Sequence, residues 1–488
     1  MNRKKSPTKL VNLIAEKLKA ARKEKKMTQE QVANAIGIHI VTYGNYELAS
    51  YSPSLKILEK LAFLFNKPES WFFAKDPIIQ NNQHPSINNM NFNSNLIGKK
   101  ILLGVTGSIS IYKSLYLASQ LKQRGALVKV IMSESSQKFI TSLSFEYITQ
   151  EKVITSLFDI SESNNHIYNG NWADIIVVAP ATVHTIARIA NGIADDPLVT
   201  TILGSTKPKL IFPAMESNMW ENDATQSNVQ TLKSRGFRII GPAEGYLASG
   251  NIAMGRMLEP VDIISYISTI LGEKGDLRGK TFVITAGPTR EPIDPIRYIS
   301  NNSSGKMGFA LAHVARDRGA KTILVTGPTQ MTAPIEIDSI QTNTAHEMYE
   351  TLKEVCINAD VLIMAAAVSD WTPTKMKKEK IKKFGKMDFT LKTKPTLDIL
   401  SNINYDNLFK VGFAAETKNL EQHAKQKLID KNLDVIVANN VTEKGAGFSI
   451  DTNKVTIIDN KGNTLKLGIL SKYEVANQII NKITSMMS

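Results

Sequence analysis

The chain has 488 residues, more than a single hydrophobic core accommodates, and this length fits about three domains of roughly 150 residues each. Apolar residues make up 42% and charged residues 21%, with a net charge of +14, a balance that excludes a disordered or fibrous chain. The lone Cys356 excludes an internal disulfide, and no apolar run reaches the length of about 18 residues that spans a membrane. We expect a cytoplasmic protein without membrane contact.

The amino terminus is strongly basic. Residues 1–75 hold 14 Lys and Arg against 6 Asp and Glu, which gives this segment a charge of +8 and suits a polyanionic ligand. An amphipathic helix is predicted within residues 9–26, Thr28 is a plausible N-cap for a second helix, and Gly37 follows that helix at a turn position. A third short helix, IVTYGNYELA, comes next. The alternative interpretation of the charge is a solvated basic face.

The segments TQEQVANAIGI, VTYGNYE and SYSPSLKILEKLA resemble a helix-turn-helix of the Cro/repressor type over about 65 residues. The resemblance implies a small all-α DNA-binding domain at residues 1–75, in which Gln29 contacts phosphates and Ile40, Val41 and Asn45 face the bases. Gly44 weakens the recognition helix. The alternative is that the apolar residues contact protein and that the module only dimerises.

The rest of the chain follows an Asn-rich segment at residues 76–97, which we interpret as a flexible linker. Short apolar runs then alternate with amphipathic stretches over residues 98–271, and the same alternation restarts over residues 276–488 after a polar break. This pattern predicts two α/β domains with doubly wound, mainly parallel sheets, whose ligands bind at the carboxyl ends of the strands.

In the first α/β domain, the segments GVTGSISIYK, HIYNGNWAD, PAMESNMW and GNIAMGRM resemble the flavin-dependent phosphopantothenoylcysteine decarboxylases across residues 98–265. The resemblance implies a flavoprotein-like fold and an FMN cofactor. Its active-site base would be His166, since imidazole is the side chain best suited to proton transfer near neutral pH. The residues that would hold FMN are Gly107, Ser108, Ser133 and Thr182.

Two positions of this domain depart from the family pattern. Glu216 stands where the family has an Asn that contacts the substrate carboxylate, and an ionised acid there repels that group. Ser249 stands in the substrate-covering flap, where the bifunctional family members have a Cys that donates a proton, and a hydroxyl is a far poorer acid than a thiol. The two replacements predict that this domain does not carry out the normal decarboxylation.

In the second α/β domain, ITAGPTREPIDPIRYISNNSSGKMG is followed by AAAVSDW, EKIKK, GFAAET and KQKLIDKNLD. These segments resemble the phosphopantothenate-cysteine ligase domain over residues 276 to about 475, and they imply a Rossmann-like fold. By this resemblance Asn301 orients an acyl-cytidylate, Arg297 helps to hold its site, and Lys380 steadies the phosphates. The residues that would bind CTP are Met364, Ala365, Ala366, Asp370, Lys380, Asp398, Phe413, Lys427 and Lys431.

The chemistry of amide formation agrees with this assignment. A free carboxylate must be activated, and an acyl-nucleotide with pyrophosphate as leaving group does so. Because the carboxylate and the triphosphate repel each other, lysines and Mg²⁺ are expected. Lys427 and Lys431 are four residues apart and share one helical face. Cys356 lies between apolar neighbours and is interpreted as a core residue, not a nucleophile.

The sequence therefore predicts a homo-oligomeric enzyme of coenzyme A biosynthesis that joins 4′-phosphopantothenate and cysteine with CTP. The resemblance implies ligase dimers and trimeric flavin domains. A different class stays open, a DNA-binding regulator that uses inactive folds to sense coenzyme A precursors; the intact ligase motifs oppose it. A second alternative is a flavoprotein that makes enethiols in a secondary pathway, which Ser249 permits and Glu216 does not.

Overall fold

The computed structural model describes residues 9–25, 27–49, 53, 55–65, 95–158, 165–382, 389–416, 420–440, 447 and 450–487. The chain divides into two compact units, Met1–Met90 and Asn91–Ser488. In the described part of the chain, no helix combines the length and the apolar character needed to cross a membrane.

The amino-terminal unit is helical. Thr28 caps the second helix, where its hydroxyl accepts from the Gln31 amide and the Gln31 side chain accepts from the Thr28 amide. Gly37 ends that helix with φ 73°. Both features confirm the sequence prediction. The helices are α1 (Lys9–Glu24), α2 (Gln29–Ile36), α3 (Ile40–Glu47) and α4 (Leu55–Phe65). The sequence also predicts a packing helix at PESWFF, and this segment lies outside the described residues.

The middle domain is built on a five-stranded sheet in the order β2-β1-β3-β4-β5, and every neighbouring pair is parallel. All seven residues of the third strand are buried, as expected for a strand covered by helices on both faces. Its elements are β1 (Lys100–Val105), α5 (Ile111–Gln123), β2 (Leu127–Met132), α6 (Ser142–Thr149), α7 (His166–Trp172), β3 (Ile175–Ala181), α8 (Val183–Asn191), α9 (Pro197–Leu203), β4 (Lys209–Pro213), α10 (Ser217–Glu221), α11 (Asp223–Ser234), β5 (Arg238–Ile239), β6 (Ala243–Tyr246), β7 (Ile252–Arg256) and α12 (Pro260–Gly272).

The carboxy-terminal domain contains an eight-stranded sheet in the order β12-β11-β8-β13-β16-β17-β19-β20. The first six strands are parallel and the last two pair antiparallel. Its elements are β8 (Thr281–Ala286), β9 (Arg290–Pro292), β10 (Tyr298–Ser300), α13 (Lys306–Asp317), β11 (Lys321–Thr326), β12 (Asp338–Gln341), α14 (Ala345–Val355), β13 (Val361–Met364), β14 (Trp371–Pro373), β15 (Thr393–Pro395), α15 (Ile399–Asn402), β16 (Phe409–Glu416), α16 (Leu420–Asp430), β17 (Val435–Asn440), β18 (Thr452–Asn453), β19 (Val455–Asp459), β20 (Thr464–Lys466), β21 (Leu470–Ser471) and α17 (Lys472–Met487). The predicted fold class, two mainly parallel α/β domains preceded by a helical domain, is confirmed.

The polar break between the two α/β domains is tightly packed. A Cβ atom added to Gly272 would lie 2.3 Å from the Asp317 carbonyl oxygen, and one added to Gly275 would lie 2.2 Å from the Arg318 carbonyl oxygen. Only glycine allows the two backbones to approach this closely. The carboxyl end of α12 in the middle domain and the carboxyl end of α13 in the carboxy-terminal domain therefore pack closely against each other. We call this contact between Gly272, Gly275, Asp317 and Arg318 the seam.

A buried ion pair lies at the same seam. Arg316 Nη2 is 2.6 Å from Asp317 Oδ1, and Arg316 Nη1 donates to Ser265 Oγ of the middle domain at 3.0 Å. The Tyr473 hydroxyl donates to the other carboxylate oxygen of Asp317. Burial raises the pKa of Asp317, although Arg316 opposes the shift. Both charges are removed from water, so loss of either partner would leave an unpaired buried charge and destabilise the seam.

Candidate functional sites

A cavity of about 710 Å³ lies at the carboxyl edge of the parallel strands in the carboxy-terminal domain. Its walls come from the loop before α13, from the segment after β13, from the start of α15, from β16 and from the end of α16. Loops that follow neighbouring parallel strands emerge at one edge of the sheet, which is why segments far apart in sequence meet here.

Nine residues predicted to bind the nucleotide or the acyl group line this one cavity. Two other predicted residues, Arg297 and Lys380, are outside the set of described residues that form its lining. The nine are Asn301, Met364, Ala365, Ala366, Asp370, Asp398, Phe413, Lys427 and Lys431. The Asn301 amide nitrogen donates to the Val368 carbonyl at 2.8 Å, which fixes the orientation of that side chain.

A salt bridge joins two of the charged lining residues. Lys431 Nζ is 3.1 Å from Asp398 Oδ2. Asp398 also caps α15 by accepting from the Ser401 amide and hydroxyl. Burial disfavours ionisation of Asp398, but the hydrogen bonds from Ser401 and Lys431 outweigh it and lower the pKa of this carboxyl group. Asp398 is therefore held as a carboxylate at the edge of the cavity.

Arg297 acts on the segment that carries Lys380. The Arg297 guanidinium donates to the Ile381 carbonyl at 3.1 Å and to the buried Asp294 carboxylate at 3.1 Å. The same Asp294 carboxylate accepts from the Ile381 amide. Both the amide and the carbonyl of Ile381 are thus hydrogen-bonded, while the neighbouring Lys380 side chain remains exposed. Arg297 and Asp294 fix the attachment point of the predicted phosphate-binding lysine.

The predicted FMN residues gather at one edge of the middle sheet. Gly107 and Ser108 follow β1, Ser133 follows β2 and Thr182 follows β3, and these three strands are neighbours. A Cβ atom added to Gly107 would lie 2.6 Å from the Ser135 hydroxyl, so the loop after β1 packs this closely against Ser135 only because the residue is glycine. Small residues, hydroxyl groups and helix starts at a strand edge fit a flavin phosphate.

His166 is the first residue of α7, a helix that leads directly into β3. It is half-buried, and Asn165 caps the helix by accepting from the Ile167 amide at 2.8 Å. The two-turn helix is packed against α9. Because α7 runs towards the amino end of β3, His166 lies at the opposite end of the helix, away from the start of that strand.

The two residues that depart from the decarboxylase pattern contact each other. Ser249 Oγ donates to Glu216 Oε1 at 3.1 Å, although the residues are 33 positions apart. Glu216 follows β4, and Ser249 lies in the hairpin of β6 and β7. A second link joins the same elements, since the Met215 amide donates to the Gly255 carbonyl at 3.0 Å. The hairpin is thus attached to the residue that the sequence places beside the substrate carboxylate.

The candidate DNA interface lies on α2 and α3. Ile40 and Val41 are exposed at the start of α3, and Asn45 is half-buried on the same helix. Gln29, which we expected to contact phosphates, donates its amide to Glu47 at 2.7 Å, and Glu47 also pairs with Arg22 at 2.7 Å. The Gln29 side chain thus supports the packing of α2 on α3, and its amide nitrogen has a partner within the unit.

Comparisons with known proteins extend over almost the whole chain. The model of the DNA/pantothenate metabolism flavoprotein C-terminal domain family matches residues 277–487, the flavoprotein family matches residues 90–272 and a helix-turn-helix family matches residues 18–72. The coenzyme A biosynthesis bifunctional protein CoaBC of Bacillus subtilis is 43% identical over 399 residues, which cover 80% of this chain and 98% of the relative. The chain belongs to the bifunctional CoaBC family.

A second relative agrees with this membership. The CoaBC protein of Escherichia coli K12 is 41% identical over 392 residues, which cover 79% of this chain and 96% of the relative. A CoaBC C-terminal domain of known crystal structure is 39% identical in sequence. The match covers 43% of this chain and 97% of the chain in that structure, with a TM-score of 0.38. As a CoaBC family member the chain has a decarboxylase-type and a ligase-type domain, and the alternative of a regulator built on inactive folds is not favoured.

Two lysines that were not predicted from the sequence also line the cavity of the carboxy-terminal domain in this CoaBC family member. Lys306, the first residue of α13, pairs with Asp451 at 2.6 Å. Lys472, the first residue of α17, is buried and donates to the carbonyls of Gly447 and Ile450. Burial, together with the charge of Lys306, lowers the pKa of Lys472 to about 8. Lys306 directly follows the Gly/Ser loop ISNNSSG, which could have indicated it. No motif in the sequence indicates Lys472.

Cys356 is fully buried, as the sequence predicted, and burial raises the pKa of its thiol to about 12. A thiol in this environment is not a nucleophile. Among the described residues, no group of three or more His, Cys, Asp or Glu side chains is placed to hold a metal ion.

Proposed function

We propose that the carboxy-terminal domain joins 4′-phosphopantothenate to cysteine with CTP and Mg²⁺, through an acyl-cytidylate. The observation that carries this proposal is that nine residues expected from the ligase pattern line one cavity. A cavity of about 710 Å³ is of the size that holds a ligand of this kind. Membership of the CoaBC family supports the same reaction.

The reaction has two steps. The carboxylate of 4′-phosphopantothenate attacks the α-phosphorus of CTP and pyrophosphate leaves. The amine of cysteine then attacks the acyl carbon, CMP leaves with the bonding electron pair, and the amine loses a proton. Lys427 and Lys431 reduce the repulsion between the two anions, and Lys306 adds positive charge at the start of α13. Mg²⁺ is held mainly by the triphosphate, as is usual for this ion.

Purified protein incubated with 4′-phosphopantothenate, cysteine, CTP and Mg²⁺ should release CMP and pyrophosphate in step with 4′-phosphopantothenoylcysteine. Omission of cysteine should stop release of CMP. No CMP in the complete mixture, with folded protein, would refute the ligase assignment.

The middle domain binds FMN at the carboxyl edge formed by β1, β2 and β3. When bound, FMN supplies the oxidation that allows a carboxylate to leave as carbon dioxide. Gly107, Ser108, Ser133 and Thr182 hold its phosphate end through backbone amides and hydroxyls. His166, at the start of α7, accepts a proton. The flavoprotein family match at residues 90–272 supports the cofactor.

The amino-terminal unit binds DNA through α3, and the helix-turn-helix family match at residues 18–72 supports this role. Deleting residues 1–75 should abolish DNA binding and leave ligase turnover intact. Binding should weaken as salt is raised, because a basic protein displaces counterions from phosphates. Fluorescence anisotropy with a labelled duplex measures both effects, and DNA affinity that survives the truncation would place the contact elsewhere.

A point variant separates α3 from the rest of the basic segment. Val41 is 62% exposed, so Val41→Asp should not disturb packing but should lower DNA affinity about tenfold or more by placing a negative charge beside the duplex. Val261→Asp is the matched control, since Val261 is 63% exposed on α12. Equal DNA affinity for the two variants would favour the alternative in which this module contacts only protein.

The chain forms a homo-oligomer. Four large apolar side chains are exposed on the neighbouring helices α5 and α6, where a second copy would cover them: Tyr112, Tyr116, Leu143 and Tyr147. We expect light scattering at micromolar concentration to give at least the mass of a dimer. A monomer under these conditions would contradict the proposal, and Tyr147→Glu should lower the measured mass if this face is the contact.

A further inference from the structure

Lys410 lies within β16 and is only 4% exposed, although β16 is a central strand of the sheet. The strand reaches the ligase cavity two residues later, where Gly412 and Phe413 form part of the wall, but Lys410 is not among the described lining residues. Burial lowers the pKa of Lys410, and only the carboxylates of Asp434 and Asp398 oppose this shift. A buried ammonium group that touches no ligand requires a structural reason.

The reason is visible in its hydrogen bonds. Lys410 Nζ donates to Asn404 Oδ1 at 2.8 Å and to the carbonyls of Leu400 at 3.2 Å, Lys431 at 3.2 Å and Ile403 at 3.4 Å. Three of these acceptors belong to α15 and the turn that follows it. The fourth belongs to the residue immediately after α16. The ammonium group therefore joins the carboxyl ends of two helices, which carry the negative end of the helix dipole.

The same two helices present charged residues to the cavity. Asp398 caps the amino end of α15, and Lys427 and Lys431 lie at the carboxyl end of α16. The Asp398 to Lys431 salt bridge is a second link between these elements, at the cavity surface. α15 has only four residues, too few to be stable without tertiary contacts. Its position beside α16 thus depends on the apolar cluster that Ile399, Leu400 and Leu428 share, on the exposed salt bridge and on the buried link made by Lys410.

We propose that Lys410 is a positioning residue of the ligase. It fixes the spacing between Asp398 and Lys431, and thereby the affinity of the cavity for CTP, without contacting the nucleotide. This inference rests on the proposed ligase function and adds a residue that sets nucleotide binding from outside the cavity.

The test compares Lys410→Met with Lys113→Met in the full-length protein. Lys113 is an equally buried lysine, 4% exposed, whose ammonium group bonds to Met257 and Glu259 in the middle domain. We expect Lys410→Met to raise the KM for CTP roughly tenfold while the KM for cysteine changes less than about twofold. Lys113→Met should leave both values within about twofold, and Lys410→Arg should restore part of the affinity for CTP.

Several outcomes would overturn the inference. One is a KM for CTP within about twofold of the parent in Lys410→Met. Another is a parallel loss of kcat with unchanged KM values, which indicates unfolding of a fraction of the protein and nothing more. If Lys410→Met does not fold, Lys410→Gln, which keeps two N–H donors, is judged by the same criterion. Absence of turnover in the parent protein would instead refute the ligase function itself, so the two failures are distinguishable.

A double-mutant cycle with Asp398→Asn examines the route of the effect. If Lys410 acts through the Asp398 to Lys431 spacing, the effect of Lys410→Met on the KM for CTP should largely disappear in the Asp398→Asn background. Additive effects would mean that Lys410 acts elsewhere and would overturn the proposal.

Discussion

Replacing Lys380 by alanine should lower the rate of CTP-dependent ligation by about a hundredfold or more, because the variant loses a cation that steadies the phosphates as charge develops on them. The loss should fall mainly on kcat. Lys380 is exposed, so its removal should not change the melting temperature. Stopped assays for CMP, together with thermal unfolding, measure the two quantities.

The neighbouring lysines supply the control for this variant. Lys378 is exposed on the same segment, and Lys378→Ala should retain ligation within about twofold of the parent because the ligase pattern gives no role to Lys378. If Lys380→Ala turns over like Lys378→Ala, the assignment of Lys380 is wrong and the phosphates are neutralised by other residues.

The unmodified protein should be yellow but form little or no 4′-phosphopantetheine from 4′-phosphopantothenoylcysteine. An ionised Glu216 repels the substrate carboxylate, and Ser249 is too weak an acid to complete the reduction of an enethiol. Absorbance of bound flavin and chromatography of the thiol products test the two parts separately. Rapid formation of 4′-phosphopantetheine by the unmodified protein would refute this account.

Restoring the family residues at both positions, as Glu216→Asn with Ser249→Cys, should recover decarboxylation. Glu216→Asn alone should release carbon dioxide but leave an enethiol. Glu221→Asn, at the other end of α10, is the matched control and should remain inactive. The hydrogen bond between Ser249 and Glu216 adds a structural expectation, because either single change breaks it and should loosen the hairpin. The effects of the two changes should therefore be non-additive.

The ligase cavity was largely predictable from sequence because its residues follow strands of one parallel sheet. Met364 ends β13, Phe413 lies in β16, and Asn301 precedes α13, so a topology argument alone brings them to one edge. The helix-turn-helix was predictable for a local reason, since the capping residue and the turn glycine directly flank the helix they delimit.

What could not be predicted depends on which distant backbone groups come to lie beside a side chain. Lys410 reads as a strand residue, and nothing in its neighbours indicates that four acceptors from two helix ends surround it. Glu216 and Ser249 were each identified as departures, but their contact follows from how the hairpin folds over the end of β4. Gln29 stays the predicted phosphate contact, and its hydrogen bond to Glu47 is an additional contact that its sequence neighbours do not indicate.

The helix α13 connects the two α/β domains in a mechanical sense. Its twelve residues span about 18 Å, with Lys306 in the ligase cavity at one end and the Arg316–Asp317 pair in the seam at the other. Because α13 is one continuous helix, the position of Lys306 at the cavity is set together with that of Arg316, which donates to the Ser265 hydroxyl. The cavity of the ligase-type domain and the seam with the decarboxylase-type domain therefore share one structural element.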